Sequence, residues 1–333
     1  MKAVIPVAGA GTMLRPHTHT QPKALVPVAG KPLLSHIIDS LVSGGISHFV
    51  LVIGHMGNKI KGYVESYYKN QDLIFDFVVQ EPREGSAHAV LMAEDIIGND
   101  SEFLVMFGDT IINCHLPDFI DSEYSVVGIK KVDRPGDFGI AEIGADGFVK
   151  KFIEKPRIPK SNLGMVGVYK IQNASVLFQS IKEMMETHKL PTEEYSLTDA
   201  LMRTINKGEK VITAEVDGWY DCGKKETLLE ANSILLNRPN FPCSEYTENA
   251  DTVIIQPVKI GKNCKIRHSV IGPNVVIGDN AIIENAIVRN SIVGSYSELQ
   301  NVILDQSIMG NDTYLKGLSQ SLNIGDNTEI ILG

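Results

Sequence analysis

In the last third of the chain, Ile or Val followed by Gly recurs at Ile260-Gly261, Ile277-Gly278 and Val293-Gly294, and Met309-Gly310 continues the series. The steps are 17, 16 and 16 residues, and Ile271-Gly272 sits six before Ile277-Gly278. Apolar residues at six-residue steps, with Asn and Gly between them, predict a β-solenoid. Each short strand is one side of a coil, and three sides take ~18 residues. The steps fall slightly short of that, so some corners must be tightened. A β-sandwich would also show short apolar strands, but not this Ile-Gly spacing.

The preceding residues obey a different grammar. Of 22 Phe, Trp and Tyr residues only Tyr296 and Tyr314 lie after residue 246, and Arg238-Pro239-Asn240-Phe241-Pro242 reads as a connector. The expected organisation is a domain over 1–238, a linker over 239–250 and the solenoid over 251–333. Strand-like runs at Lys2–Val7, Phe49–Ile53, Ile74–Val79 and Phe103–Phe107 alternate with helical patterns at Pro32–Val42, Ile60–Tyr68 and Ala87–Ile97. Shorter strands are expected at 125–131, 138–143, 148–153, 163–171 and Val211–Val216, with helices at about 174–186, 197–207 and 224–236. Such alternation predicts an α/β fold, Rossmann-like, with a mostly parallel sheet covered by helices on both faces.

The formal charge is -9, which argues against nucleic acid or an anionic membrane as a partner, because both demand a cationic surface. The charge is unevenly placed. The first 38 residues carry Lys2, Arg15, Lys23 and Lys31 and no carboxylate. The four cysteines show no C-x-x-C spacing, so neither a zinc ribbon nor a disulfide framework is indicated. No apolar run approaches the ~18–20 residues that span a bilayer, and the amino terminus runs straight into a strand. A cytoplasmic protein is expected.

Directly after the first strand comes Ala8-Gly9-Ala10-Gly11-Thr12-Met13-Leu14-Arg15-Pro16. A Gly-rich turn in that place lets backbone N–H groups approach phosphates. No Gly-Lys-Ser/Thr closes it as in a P-loop, and Leu14 stands where the dinucleotide fingerprint needs its third glycine. Next, Gln21-Pro22-Lys23-Ala24-Leu25-Val26-Pro27 holds a lysine on a stiff, proline-bounded loop.

These strings, with Gly30-Lys31-Pro32, Gln80-Glu81-Pro82, Gly108-Asp109, Phe138-Gly139, Glu154-Lys155-Pro156, Asn162-Leu163, Gly167-Val168-Tyr169 and Trp219-Tyr220-Asp221-Cys222-Gly223, arrive in order along the chain. Together they resemble the sugar-phosphate nucleotidylyltransferases, the NDP-sugar pyrophosphorylases. The carboxy-terminal repeats are similar to the left-handed hexapeptide-repeat β-helix of the longer members. The resemblance implies a sugar-1-phosphate, first of all glucose-1-phosphate, attacking the α-phosphorus of a nucleoside triphosphate, dTTP or UTP, to give an NDP-sugar and pyrophosphate.

It also implies roles. Lys23, Arg15 and Lys155 would act in catalysis. Ala8, Gly9, Gly11, Thr12, Gln80 and Gly85 would bind the nucleotide, and Gly139, Glu154, Asn162 and Tyr169 the sugar. Asp109 and Asp221 would hold Mg²⁺. Glu154 and Lys155, adjacent on a strand, reach one ligand only if the strand ends there, and Pro156 is expected to hold Lys155 extended. His17, His19, Cys222 and Trp219 read as surface or packing residues.

The chain departs from the family twice. Met13 stands where an arginine bridging the triphosphate is usual, and Arg15 is expected to supply that charge instead. Ala24 replaces a glutamine found beside the nucleotide in short thymidylyltransferases. Two other readings stay open: a catalytically weakened regulatory or scaffold subunit, and a bifunctional enzyme with acyltransferase activity at the β-helix. For the latter His268 is the only histidine after residue 246. The flat sides and open ends of a short solenoid predict a homo-oligomer assembled through it.

Overall fold

A computed structural model describes residues 1–98, 102–187, 194–239, 241–243 and 251–317. Much of the expected linker, and the end of the expected solenoid from 318 to 333, lie outside the described residues. The chain divides into two compact units, Met1–Ala231 and Asn232–Gly333, with the division inside the helix Lys225–Leu236.

The first unit is built on a nine-stranded mixed sheet. Its centre is parallel: Lys2–Pro6 pairs with His48–Ile53 on one side and Phe103–Met106 on the other, and Ile74–Val79 pairs beyond His48–Ile53. Ala3, Val4 and Ile5 are each 0% exposed although successive side chains point to opposite faces, so both faces of the central strand are covered. On one face Val4, Val105 and Val127 pack against Val90 of the helix Ser86–Leu91, Phe178 of Ala174–Thr187 and Leu201 of Leu197–Asn206.

The strand Leu163–Ile171 turns the sheet antiparallel. Beside it Gly139–Ile143 and Val149–Glu154 form a hairpin, and Ser125–Lys131 carries Val211–Glu215 in parallel. The helix expected over Ala87–Ile97 is two pieces, Ser86–Leu91 and Glu94–Ile97. Between them Ala93 N–H donates to Val90 O, three residues back rather than four, and this tighter turn interrupts the helix. A separate two-stranded ribbon pairs Thr110–Asn113 with Gly218–Asp221.

The second unit contains the solenoid. Three four-stranded parallel sheets form its sides. Val253 pairs with Val270, Val270 with Ile287 and Ile287 with Ile303, so the coil advances by 17, 17 and then 16 residues. Tightening occurs at corners in the left-handed backbone region: Asn263, Asn280, Tyr296 and Asp312 make one such row, and His268, Asn285 and Asn301 another. Asn tolerates this conformation better than other residues with a Cβ, and its amide also bonds the next coil. Asn274 donates to Asn290 at 2.9 Å, and Asn263 to Asn280 at 3.3 Å. Inside, Ile266, Ile283 and Leu299 stack in a dry column. Outside, Val253, Ile287 and Ile303 stand in one exposed row.

Two substitutions of the same residue type separate these roles. Ile283 is 0% exposed and Ile303 71%. Ile283→Ala should cost about 2–5 kcal/mol in urea unfolding followed by circular dichroism, and Ile303→Ala about 0.5 kcal/mol or less.

Candidate active site

The loops at the carboxyl ends of the parallel strands surround a cavity of about 400 Å³. Ligands of open α/β sheets bind at this edge, because the turns there leave backbone groups and helix starts unpaired. Ala8, Gly9, Gly11, Thr12, Lys23, Gln80, Gly85 and Asp109, all expected from the sequence, line it.

One end is charged. The Gly-rich turn closes on itself through Thr18, whose hydroxyl donates to Gly11 O at 2.8 Å. A second turn, Lys23–Leu25, brings Lys23 back beside Gly11. Lys23 Nζ donates to Asp109 Oδ2 at 3.0 Å, with the lysine side chain 15% exposed and the carboxylate 49%. The backbone of Asp109 is anchored as well. Cys222 N–H donates to Asp109 O at 3.1 Å, and the ribbon sets Asp221 opposite Thr110. The two acids expected to share a cation, 112 positions apart, therefore lie at the same end of one ribbon.

Their chemistry fits a hard divalent cation. Asp221 Oδ1 is engaged by Gly223 N–H at 2.7 Å and Asp109 Oδ2 by Lys23. Each carboxylate keeps one oxygen without a hydrogen bond from the described residues, and Mg²⁺ takes one or two such oxygens plus phosphate and water. Among the described residues no group of three acidic, histidine or cysteine side chains gathers as a complete cage.

The other end is built around a buried amide. Gln80 is 4% exposed, and its Nε2 donates to Gly85 O at 2.9 Å. One of the two Nε2 N–H donors is committed, and Oε1 is left to meet a ligand as an acceptor. Gly85 has φ 99, and a Cβ there would lie 2.6 Å from Tyr195 O, so only glycine lets the two loops approach.

The residues expected to hold the sugar form a second cluster outside the cavity lining. Gly139 pairs with Glu154 across the hairpin. Thr198, near the start of its helix, donates to Glu154 Oε2 at 2.6 Å and so orients that carboxylate. Tyr169 is buried with its ring 5.5 Å from Phe107. Burial, then the charges of Glu154 and Asp109, push its hydroxyl above the usual tyrosine range, so it stays a neutral donor.

The remaining expected residues lie outside the cavity lining. Lys155 is not extended: its φ is 42, and its N–H donates to Phe138 O at 3.1 Å. The left-handed residue ends the strand and breaks the alternation that would set its side chain opposite Glu154. Asn162 is exposed, and its carbonyl is used by Val132 N–H at 2.9 Å. Arg15 is exposed and does not line the cavity, whereas Met13 lines it and is 67% exposed. His268 stands at a solenoid corner and pairs with Asp251 at 3.2 Å.

The sequence alone does not single out Arg83, Ser86 and Glu194, which line the cavity, or Thr198. Arg83 and Ser86 flank recognised residues of one short motif. Nothing in the chain's local pattern signals Glu194 or Thr198, which the fold delivers from about 110 and 44 positions away from Gly85 and Glu154.

Cys222 sits at this edge but has no nucleophilic character. Burial, opposed by the charge of Lys23, pushes its thiol up to about 12. A raised thiol pKa keeps the neutral form dominant until the pH approaches that value. At pH 8 iodoacetamide should label exposed Cys243 first and leave Cys222 unmodified, as read by peptide mass spectrometry.

The geometry can be set beside known proteins. The nucleotidyl transferase family matches residues 2–238. The bifunctional protein GlmU of Methanococcus vannielii is 37% identical over 262 residues, covering 76% of this chain and 59% of that protein. The glucose-1-phosphate thymidylyltransferase of Streptomyces antibioticus is 31% identical over 284 residues, covering 83% of this chain and 78% of its own. A crystal structure of UDP-glucose pyrophosphorylase complexed with UDP-glucose aligns with TM-score 0.61 at 27% identity, over 70% of this chain and 97% of that one. The chain spans 55–59% of the length of the GlmU relatives it matches. No described helix is long and apolar enough to cross a membrane. With the family match covering the whole of the sheet that builds the cavity, the chain belongs to the nucleotidyl transferase family.

Proposed function

We propose that the chain is a sugar-1-phosphate nucleotidylyltransferase, joining a sugar-1-phosphate, with glucose-1-phosphate first, to dTTP or UTP with release of pyrophosphate. The observation that carries this reading is the polarity of one cavity, with a lysine and a carboxylate at one end and the Gln80 acceptor at the other. A nucleotide needs that order of chemistry along its length.

An oxygen of the sugar phosphate forms a bond to the α-phosphorus while the bond to the α–β bridging oxygen breaks, and pyrophosphate leaves with the electron pair. No protein nucleophile is needed, so the side chains position and neutralise. Lys23, a compact point charge, suits the β-phosphate region, where negative charge grows as pyrophosphate departs. Glu154, oriented by Thr198, accepts from sugar hydroxyls. Lys155, next to Glu154 in the chain and left-handed in backbone, is the residue proposed to bring an ammonium to the sugar phosphate. Asp109 and Asp221 are the residues to hold Mg²⁺, which would supply charge neutralisation at the phosphates.

At the base end the Gln80 acceptor pairs with an imide N–H. Uracil and thymine present one at N3, whereas cytosine presents a lone pair there. Acceptor against acceptor leaves a buried group unpaired, which is worth about tenfold or more in selectivity.

The test is a matrix of nucleoside triphosphates against sugar-1-phosphates with Mg²⁺, scored by pyrophosphate release. UTP or dTTP should exceed CTP at least about tenfold, and Lys23→Ala should lower kcat about 10²–10³-fold. No turnover with any pair would leave the regulatory or scaffold reading. We propose also that the solenoid self-associates, an assembly that its exposed row Val253, Ile287 and Ile303 supports. Light scattering at micromolar concentration should give a multiple of the chain mass, and a monomer would refute it.

A further inference from the structure

We propose that Ser86 is a positioning residue for the sugar substrate: from the wall of the nucleotide cavity it holds the Glu154 carboxylate in place through the first turn of the helix Leu197–Asn206. This rests on the nucleotidylyl-transfer reading and adds to it a link between the two substrate sites.

The chain of contacts is short. Tyr195 is clamped against the Gly85 loop, its N–H donating to Glu84 O at 2.8 Å and its carbonyl accepting from Ala87 N–H at 2.9 Å. Two residues on, Leu197 N–H donates to Ser86 Oγ at 2.9 Å, across 111 positions of sequence. The next residue, Thr198, donates to Glu154 Oε2 at 2.6 Å. A Cβ at Gly139 would lie 2.7 Å from Thr198 Oγ1 and 3.0 Å from Glu154 Oε2, so that glycine leaves the space in which the pair meets. Ser86 lines the nucleotide cavity and Glu154 does not. Consecutive residues of one segment therefore touch the wall of one site and the carboxylate proposed for the other.

The way a helix begins makes Ser86 the controlling contact. The first N–H groups of a helix have no partner within it. Here Ser196 Oγ caps the third, accepting from Asp199 N–H at 3.0 Å, and Ala200 N–H reaches Ser196 O at 3.2 Å. The first, Leu197 N–H, goes to Ser86. Leu197 is 1% exposed, so removing that acceptor leaves a buried donor unpaired. The turn then shifts toward another partner, and Thr198 moves with it. A second bond from the helix to the same strand, Phe152 N–H to Met202 Sδ at 3.3 Å, lies a full turn later and uses a weak acceptor. It anchors the body of the helix and not its first turn.

Two rival roles for the same hydroxyl leave different kinetic traces. If Ser86 served only to order the nucleotide loop, its loss would weaken the nucleoside triphosphate. If it touched the sugar directly, its loss would add to that of Thr198. The test is steady-state kinetics with Mg²⁺ and the wild type's best pair of nucleoside triphosphate and sugar-1-phosphate, on the wild type, Ser86→Ala, Ser86→Thr, Thr198→Val and the double variant Ser86→Ala/Thr198→Val. Ser86 is half-buried and outside the hydrophobic core, so its truncation leaves the core packing intact.

Ser86→Ala should raise KM for the sugar-1-phosphate about 3–10-fold, with KM for the triphosphate changed less than about twofold. Ser86→Thr keeps the acceptor and should recover most of the loss. Thr198→Val should lose at least as much as Ser86→Ala, and the double variant no more than Thr198→Val alone, because both act along one path. A rise confined to the triphosphate would assign Ser86 to the nucleotide loop, and losses that multiply in the double variant would assign it to the sugar itself. Either result overturns the proposal. If the wild type turned over no pair, the nucleotidylyl-transfer reading would fall and the link with it. Wild-type turnover beside an unaffected Ser86→Ala enzyme would remove the link alone.

Discussion

The contact between Lys23 and Asp109 joins parts of the chain 86 positions apart, and the arrangement of the site depends on it. An ion pair with one partner half exposed contributes little to stability, because solvent screens it and two side chains lose freedom. Its consequence is positional. It sets the proline-bounded loop against the end of the strand Phe103–Met106, and thereby the Gly-rich turn against the ribbon that carries Asp221. On the proposed function, a phosphate entering this place would compete with Asp109 for the lysine, and a divalent ion would compete with the lysine for Asp109. Each ligand thus releases the partner that the other requires. Nucleotide and metal binding should reinforce each other for that reason alone.

At the far end the constraint is steric. Gly85 admits Tyr195 to within a distance no Cβ would allow, and Gln80 is locked by the carbonyl of that same glycine. The Gln80 end is consequently buried and directional, while the Lys23–Asp109 end is more exposed and adaptable. This division matches the chemistry proposed. Recognition of an imide needs fixed acceptors and donors, whereas phosphoryl transfer needs charge that can track a moving leaving group.

How much of this is legible in the sequence depends on the length scale of each signal. The buried parallel strands announce themselves, since a run such as His48–Ile53 with its flanking helical periodicity has few other uses. The solenoid is legible too, and the shortfall of its steps below 18 is explained by left-handed corners where Asn stands repeatedly. The ribbon Thr110–Asn113 with Gly218–Asp221 is not, because four-residue strands separated by over 100 positions carry no periodicity to detect. Pro156 predicts an extended Lys155, as a proline normally imposes on the residue before it, yet the end of the hairpin imposes a left-handed turn. Arg15 shows the same limit in the site. Proximity in sequence favours it as the stand-in for a missing cation, while the folded chain leaves it exposed and outside the cavity lining.

The overall charge of -9 and a polyanionic substrate are compatible because only the lining of the cavity is close to the ligand. The lining holds Lys23 and Arg83 together with Asp109 and Glu194, so the side-chain charges of the described lining balance. A balanced wall would hold a bare triphosphate poorly by attraction alone, since repulsion from the two acids offsets attraction to the two cations. The balance shifts when a divalent ion occupies the acids, because Asp109 then counts as part of a cationic assembly and no longer opposes Lys23. On the proposed function, a cavity of this composition would bind free triphosphate poorly and its metal complex well. That discrimination comes from placing acids among the cations, and a uniformly basic pocket would lack it.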